Sequence, residues 1–339
     1  MKRCQAGYKK ITDMSIFTHR QDACSTGHRG KLGGAIALLA GLLIGGCGGQ
    51  SPETIAEQMD NRPKVVSTST IIADLTATIG GDEIDHQGIL EPGADPHVYE
   101  PVPMDSVAFE EAALILYNGY NLEPGLIKLM NAAGVNAKKV AVGEQVEPLP
   151  FDKEGEIVPD PHVWGSAENG VAMANAIRDA LIELSPEDEE EFRENAARLA
   201  EELQGVDEWI EKQIATIPPE KRRLVTTHDA FQYYANAYGL TVTGTLIGIS
   251  TEEQPSAKTV KDLAEQIKAT GVPAIFAETT INPQLIKTVA EEAGVELAPE
   301  ELYSDSIGAP GSAGDSYIKM LVANTRTIVE ALGGEYSEP

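Results

Sequence analysis

Cysteine, histidine and basic residues are scarce in this chain of 339 residues, which has three Cys, six His and 26 Lys/Arg against 53 Asp/Glu. Cys4 and Cys24 lie within residues 1–46, which have the pattern of a secretory leader, so a processed chain keeps only Cys47. A single cysteine forms no disulfide within its own chain. Cys47 directly follows the leader and is expected below to carry a lipid, so it is neither a nucleophile nor a metal ligand. Disulfide scaffolds, thiolate metal sites and cysteine-dependent enzymes are therefore excluded.

The shortage of basic residues becomes sharper once residues 1–46 are removed, because they hold seven Lys/Arg and only two Asp/Glu. The remaining 19 basic and 51 acidic residues give a net charge of −32, against −27 for the whole chain. This excludes a nucleic-acid partner, since binding to the phosphate backbone requires a basic surface. An acidic surface keeps a protein soluble and enriches cations around it, but it is not by itself a binding site.

The apolar run Leu32–Ile44 is too short to span a bilayer, and it lies between a basic, polar segment and Ile44-Gly45-Gly46-Cys47. This order predicts a signal peptide over residues 1–46, with Met14 as an alternative start. Small residues directly before a cysteine resemble a bacterial lipobox. We therefore expect a lipidated Cys47, a flexible tether over residues 47–63, and a protein anchored on the outer face of the cytoplasmic membrane or in the periplasm. The alternative is an ordinary signal peptide with an incidental cysteine.

Short β-rich runs alternate with helical patterns from Lys64 onward, as in the predicted strands Lys64–Thr70 and Leu114–Asn118. Such alternation is typical of a parallel sheet with helices on its faces. The amphipathic helix Ala167–Leu184 interrupts it, and a second alternating unit begins at Arg223. We therefore predict an α/β protein of two lobes, each a mainly parallel sheet flanked by helices, with a ligand cleft between them. The predicted parts are an N-terminal lobe at 64–166, a long rigid linker helix at 167–184 and a C-terminal lobe at 185–339.

A short motif occurs twice: Asp95-Pro96-His97-Val98-Tyr99 is repeated as Asp160-Pro161-His162-Val163-Trp164. The first copy lies in a segment with four prolines, which is neither a helix nor an inner strand because proline lacks the N–H and restricts the residue before it. A histidine in so stiff a loop loses little conformational freedom when it binds a ligand. The repetition predicts that the fold brings the two histidines together.

Three of the four histidines left after residue 46 follow a predicted strand: His97, His162 and His228. Open α/β sheets bind ligands at the carboxyl ends of their strands. Each histidine alone is more typical of a hydrogen-bonded loop residue, but three in these positions, with a repeated motif, favour a transition-metal site. His86 lies inside a predicted strand, and we expect it to be an edge or surface residue.

Carboxylates are expected around these histidines, both as a fourth ligand and as groups that orient the imidazole rings. Asp305, in a loop after the last predicted strand, is the candidate ligand, although spacing alone does not distinguish it among 51 acids. Asp95 and Asp160 each precede a proline, and we expect them to cap their loops or orient the histidines. Glu278, at the end of the predicted strand Ala274–Glu278, is either another orienting group or a solvent-facing strand end.

Two other classes of protein are compatible with a secreted chain of this kind. A zinc-dependent hydrolase requires an open coordination position and a general base, and the sequence has no His-Glu-x-x-His, His-x-Glu deaminase or Gly-x-Ser-x-Gly motif. A surface adhesin needs a metal only for structure, or none at all. Metal content and hydrolytic activity distinguish these alternatives from a metal-binding protein.

Six segments also carry a resemblance to a known family: PGADPHVYEP, ILYNGYNLE, DPHVW, LVTTHDAFQYYANAYGL, PAIFAETT and LYSDSIGAPGSAGDSYIKM. With these segments in this order, the chain resembles the zinc/manganese solute-binding lipoproteins of bacterial ABC importers (solute-binding protein family 9) from about Lys64 to Gly333. The resemblance implies that one divalent ion is bound between the lobes by His97, His162, His228 and Asp305. It also implies a monomeric, non-enzymatic protein that delivers Zn²⁺ or Mn²⁺ to an ABC permease and its ATPase.

The metal itself is left open between Zn²⁺ and Mn²⁺. Many manganese-selective members of the family have Glu where this chain has His228, whereas zinc-type members often have a long histidine-rich loop where it has the short segment Glu147–Pro159. Three imidazoles and one carboxylate suit tetrahedral zinc, while a bidentate Asp305 would bring the coordination number to five for manganese. Because ligands must be deprotonated, affinity is expected to fall as pH drops through the histidine range.

Overall fold

The computed structural model describes residues 61–153 and 155–339. The predicted signal peptide, most of the predicted tether and the lipidation residue Cys47 lie outside the described residues. The described strands are β1 (Lys64–Ser67), β2 (Asp85–Gly88), β3 (Leu114–Tyr117), β4 (Lys138–Ala141), β5 (Pro150–Lys153), β6 (Glu156–Pro159), β7 (Arg223–Thr226), β8 (Thr241–Thr245), β9 (Ala274–Ile275) and β10 (Glu296–Leu297). The helices are α1 (Thr70–Gly80), α2 (Pro103–Glu111), α3 (Pro124–Ala132), α4 (Ala167–Leu184), α5 (Glu189–Ala215), α6 (Gln232–Tyr238), α7 (Ala257–Thr270), α8 (Gln284–Ala293) and α9 (Tyr317–Ala331).

The first half of the fold is a four-stranded parallel sheet with the strand order β2-β1-β3-β4. Val65 and Leu114 on one face pack into the core formed with α1 and α4, whereas Val66 and Ile115 on the other face pack against α2 and α3. Burial on both faces explains why these strands read as continuous apolar runs. The predicted parallel sheet with helices on its faces is confirmed.

Strand β1 is shorter than the predicted strand Lys64–Thr70 because a helix begins within that run. The Ser69 side chain accepts a hydrogen bond from the backbone N–H of Ile72, which makes Ser69 the N-cap of α1. The β-branched residues that predicted a longer strand therefore open a helix at the carboxyl end of β1.

The second half contains two pairs of parallel strands, β7 with β8 and β9 with β10. The backbone N–H of Phe276 donates to the Val225 carbonyl at 2.9 Å and joins the two pairs. Strand β9 is shorter than the predicted strand Ala274–Glu278, but an isolated bridge pairs Glu278 with Leu302 and continues the same edge. Helices α7 and α8 supply the apolar side chains that cover this part of the sheet.

Two long helices connect the halves. Helix α4 has the bounds predicted for the linker, and the 27-residue α5 is about 40 Å long at 1.5 Å per residue. Helix α5 packs against α1 of the first half and α4 of the connection, and also against α9 of the second half, so one apolar core runs through both halves. The fold class is as predicted, a two-lobed α/β protein with a long helix between the lobes. The prediction named α4 alone as the linker and placed α5 in the C-terminal lobe, and the lobe boundaries at residues 166 and 184 stay predictions.

A short antiparallel hairpin, β5–β6, precedes α4, and in the described part of the chain its strands pair only with each other. None of the described helices is both long enough and apolar enough to cross a bilayer.

Candidate metal centre

Four side chains that are distant in the sequence meet at one buried point: His97, His162, His228 and Asp305. One donor atom from each lies within 4.8 Å of the others. His97 is 4% exposed, Asp305 1%, and the other two are fully buried. Polar groups removed from water to this extent are stable only if they compensate one another or bind a ligand.

Each half of the fold contributes two of the four residues. His97 lies in the proline-rich loop that follows β2, and His228 lies two residues beyond the end of β7, so both come from the carboxyl ends of parallel strands. His162 follows β6, which belongs to the antiparallel hairpin, so the strand-end rule does not explain its position. Asp305 lies beyond Leu302, the residue that bridges to the strand edge at Glu278.

Each histidine is held by a carboxylate that accepts its backbone N–H. Asp95 accepts the N–H of His97 at 2.9 Å, and Asp160 accepts that of His162 at 3.0 Å, which is the turn made by the repeated Asp-Pro-His motif. His228 has no aspartate two residues before it, and its N–H donates to Glu278 at 2.8 Å instead. The loops are therefore fixed before any ligand binds.

Two of the same carboxylates also orient imidazole rings. His162 Nδ1 lies 2.7 Å from Asp160 Oδ1, and His228 Nδ1 contacts Glu278 Oε2. A carboxylate at Nδ1 fixes the tautomer in which Nδ1 carries the hydrogen and Nε2 is free to bind a metal. Asp160 and Glu278 thus lie where the sequence placed orienting groups, and Glu278 is fully buried rather than a solvent-facing strand end.

Asp95 differs from these two carboxylates. It caps the His97 loop through the backbone, but its second oxygen, Oδ2, accepts a hydrogen bond from Thr251 Oγ1 at 2.6 Å rather than from an imidazole. Of the two roles that the sequence left open for Asp95, the described contacts are those of a loop cap.

Three of the distances between donor atoms lie near those around a tetrahedral ion, and the four donor atoms together lie within 4.8 Å of one another. The Nε2 atoms of His97 and His162 lie 3.2 Å apart. The Asp305 oxygens lie 3.5 Å from His162 Nε2 and 3.2 Å from His228 Nε2. Two ligands that are each about 2.0–2.1 Å from a tetrahedral zinc ion are about 3.3–3.4 Å apart, so the three distances are close to those of a single coordination shell.

Unsatisfied atoms at the centre support the same conclusion. Within residues 61–153 and 155–339, both oxygens of Asp305 and Nε2 of His228 are buried and have no hydrogen-bond partner. A buried carboxylate without hydrogen bonds costs considerable free energy, which either a protonated His228, whose Nε2 lies 3.2 Å from Asp305 Oδ2, or a bound cation would offset. The donor set therefore fits a divalent metal.

The electrostatics of the cluster differ from one histidine to the next. Burial lowers the pKa of His97 to about 3. Burial also acts to lower the pKa of His228, but the carboxylates of Asp305 and Glu278 outweigh it and hold that pKa well above its ordinary value. Burial acts to raise the pKa of Asp305, yet the neighbouring histidines, His228 foremost, hold it below its usual range. These directions describe a protonated His228 between the carboxylates of Asp305 and Glu278.

Further residues position Asp305 and were missed from the sequence. Trp164 Nε1 donates to the Ser304 carbonyl at 2.8 Å, and the Ser306 hydroxyl lies 3.0 Å from Thr70 Oγ1 and accepts the N–H of Gly93 at 2.7 Å. The loop of Asp305 is thus tied to the first half of the fold on both sides. Trp164 stood out only as the aromatic residue of the repeated motif, and no local pattern marked the other residues.

A cleft of about 480 Å³ leads to the centre. Of the four central residues, His97 alone lines it, together with Tyr120 and Glu144 from the first half and Ile249 and Glu252 from the second. An ion that enters or leaves through this cleft therefore passes His97.

Known proteins are similar to this chain in sequence or in structure. The manganese ABC transporter substrate-binding lipoprotein PsaA of Streptococcus anginosus is 34% identical over 311 residues, which cover 89% of this chain and 99% of the relative. The periplasmic zinc-binding protein TroA of Treponema pallidum is 33% identical with a TM-score of 0.76, over 80% of this chain and 99% of TroA. Fe(III)-bound YtgA of Chlamydia trachomatis is 29% identical with a TM-score of 0.72, over 81% of this chain and all of that one. The family model of ZnuA, zinc-uptake complex component A, periplasmic, matches residues 65–331, and the chain therefore belongs to this family.

Proposed function

We propose that this protein captures one divalent transition-metal ion between its two halves and delivers it to the permease of an ABC importer. The observation that carries the proposal is the buried cluster of three imidazoles and one carboxylate, with all four donor atoms within 4.8 Å. His97, His162, His228 and Asp305 are the proposed ligands, and Asp160 and Glu278 are proposed to orient two of the rings. The metal is the cargo of the protein, not a resident cofactor.

The donor set favours Zn²⁺ over Mn²⁺ in affinity, because nitrogen-rich sites follow an order in which manganese lies below zinc. The relatives named above are described with manganese, zinc and iron. We propose that both Zn²⁺ and Mn²⁺ are bound, and that the metal carried in the cell depends on which is available. A second oxygen of Asp305 would supply the fifth ligand that Mn²⁺ favours.

Delivery of the ion requires a permease, an ATPase and a place outside the cytoplasm, and membership of the family supports all three. We propose that the chain is processed before Cys47, lipidated there, and held as a monomer on the outer face of the cytoplasmic membrane or in the periplasm, where it docks on the permease and its ATPase. Since α5 packs against helices of both halves, release is proposed to come from small loop movements rather than from a wide hinge. Binding and release need no chemical step, so no enzymatic activity is proposed.

A zinc hydrolase is less well supported by the same geometry. Catalytic zinc sites use three protein ligands and keep the fourth position for water, whereas here four buried side chains converge with their donor atoms within 4.8 Å of one another. A surface adhesin does not require such a cluster.

The test is the metal content of the purified protein by mass spectrometry, followed by competition titrations with Zn²⁺ and Mn²⁺. We expect about one metal ion per chain and a loss of affinity of at least about 100-fold in His228→Ala, which removes one ligand and leaves Glu278 and Asp305 unpaired. His86→Gln is the control, because His86 lies in β2, contacts Ser67 in β1 and is outside the cluster. Equal metal affinity in wild type and His228→Ala would contradict the proposal.

A further inference from the structure

One loop of the second half connects the surroundings of His228 to the surroundings of His97. This loop, residues 246–253, directly follows β8 and is called the strap here. Its first residues are fixed beside His228: the N–H groups of Leu246 and Ile247 donate to the Thr227 carbonyl at 3.1 and 2.9 Å, and the N–H of Asp229 donates to the Gly248 carbonyl at 3.2 Å. Both sequence neighbours of His228 therefore hold the strap.

The other end of the strap reaches the first half of the fold. Thr251 Oγ1 donates to Asp95 Oδ2 at 2.6 Å, and Asp95 Oδ1 accepts the backbone N–H of His97 at 2.9 Å. The Asp95 carboxylate thus joins the His97 loop to the strap, which is anchored beside His228. A neutral donor to a carboxylate makes a short, charge-assisted hydrogen bond, which is about twice as strong as a neutral one.

The hydrogen bond between Thr251 and Asp95 can affect metal release because the strap lines the cleft beside His97. Ile249 and Glu252 of the strap line the cleft together with Tyr120 and Glu144 of the first half. His97 is the proposed ligand that lines the cleft and the most exposed of the four. A displacement of the His97 loop away from the strap would open the centre on this side.

The other interactions of the strap are weaker. Glu253 accepts the N–H of Gly248 at 3.2 Å within the strap itself, and it lies 3.9 Å from Lys153 of the hairpin. The side chains of Glu253 and Lys153 are 43% and 51% exposed, and exposed ion pairs contribute little. Of the contacts named here, the hydrogen bond from Thr251 to Asp95 is the one that crosses to the His97 loop.

We propose that Thr251 is a positioning residue for metal retention: its hydroxyl holds Asp95, and through Asp95 the loop of His97, against the strap, so that loss of this hydrogen bond speeds release of the ion. The proposal rests on the proposed function of metal capture. Thr251 touches no proposed ligand, so it acts through Asp95 alone. We expect the metal-free fold not to depend on it, because Thr251 lies on a partly exposed loop outside the core.

The test compares Thr251→Val, which keeps the size of the side chain but removes the hydroxyl, with Thr251→Ser, which keeps the hydroxyl. Thr288→Val is the matched control, since the exposed Thr288 hydroxyl on α8 contacts only its own helix at the Gln284 carbonyl. Zn²⁺-loaded proteins are mixed with excess chelator, and the rate of Zn²⁺ release is followed by stopped flow. We expect release about tenfold faster from Thr251→Val, and within about twofold of wild type for the other two variants.

Thermal unfolding of the metal-free proteins distinguishes positioning from a general loss of structure. Similar unfolding temperatures with faster release only in Thr251→Val support the proposal. Release at the wild-type rate from Thr251→Val, or equally fast release from Thr251→Ser, would overturn it while leaving the proposed function intact. A wild-type protein that binds no Zn²⁺ would overturn both.

Discussion

Metal binding should release a proton from His228, and this prediction follows from the charges around the centre. The carboxylates of Asp305 and Glu278 outweigh burial and raise the pKa of His228 well above its ordinary value, whereas burial lowers the pKa of His97 to about 3. At neutral pH the metal-free protein therefore carries a proton on His228 and none on His97. Coordination through His228 Nε2 displaces that proton, while Nδ1 keeps its hydrogen for Glu278.

The pH dependence of binding follows from linkage. Because the pKa of His228 is held well above its ordinary value, His228 adds to the number of protons released when the ion binds at neutral pH. Affinity for the ion should then rise as pH rises through the neutral range. Asp305 does not add to this number, because its pKa is held below its usual range and it is already a carboxylate. His97 would matter only near pH 3.

The assay is calorimetry of Zn²⁺ binding at one pH in buffers of different ionisation enthalpy, where the slope of the observed enthalpy gives the number of protons released. Glu278→Gln provides an internal check, because removing this charge should lower the pKa of His228 and reduce the proton release. A slope of zero in the wild type, together with an affinity that does not change from about pH 6 to pH 8, would refute the reasoning.

Three further variants test the surroundings of the centre. Glu278→Gln should weaken Zn²⁺ affinity about 10- to 100-fold in competition titrations, because Glu278 orients the His228 ring and accepts its backbone N–H. Ser306→Ala should weaken affinity about tenfold, since the Ser306 hydroxyl ties the loop of Asp305 to Thr70 and Gly93. His228→Glu should lower the thermal stability of the metal-free protein by bringing three buried carboxylates together, those of residues 228, 278 and 305. Combining it with Glu278→Gln removes one of these charges, so it should relieve part of this loss and shift the affinity ratio towards Mn²⁺.

Each of these variants has a matched comparison. Ser306→Thr retains a hydroxyl and should bind more tightly than Ser306→Ala, and His86→Gln should behave as wild type in all titrations. An unchanged affinity in Glu278→Gln would show that the ring of His228 is oriented without its carboxylate partner. An unchanged ratio of Zn²⁺ to Mn²⁺ affinity in the variant that combines His228→Glu with Glu278→Gln would mean that the residue at position 228 does not set the metal preference.

Much of the centre could be predicted from local sequence. The repeated Asp-Pro-His motif pointed to His97 and His162, and the rule on strand ends pointed to His228. The structure brings all three together with Asp305, although their role as ligands stays a prediction. Asp305 was not separable from the other acids by spacing, and only the family resemblance singled it out.

The remaining features depend on contacts between residues that are distant in the sequence. Thr70 and Ser306 are 236 positions apart, and neither lies in a pattern that marks a hydrogen bond. The sequence left Glu278 undecided because a strand end is exposed or buried according to what packs on it. In the structure, Glu278 forms a β-bridge with Leu302 and its carboxylate accepts the backbone N–H of His228.

The fold shows the same division between local and non-local information. Alternating patterns predicted the parallel sheets, and the bounds of α4 match the predicted helix Ala167–Leu184. The strand before His162 pairs in a hairpin with β5 rather than in a parallel sheet, because pairing is decided by the partner strand and not by the run itself. Strand lengths were overestimated where β-branched residues continue into a helix cap, as at Ser69.

The central claim is that three imidazoles and one aspartate bind a single ion, and X-ray absorption spectroscopy of the Zn²⁺-loaded protein tests it most directly. We predict a shell of about four nitrogen and oxygen ligands at about 2.0–2.1 Å, with the outer-shell scattering of about three imidazoles. A spectrum with one imidazole or none, or a shell filled mainly by water, would contradict the account.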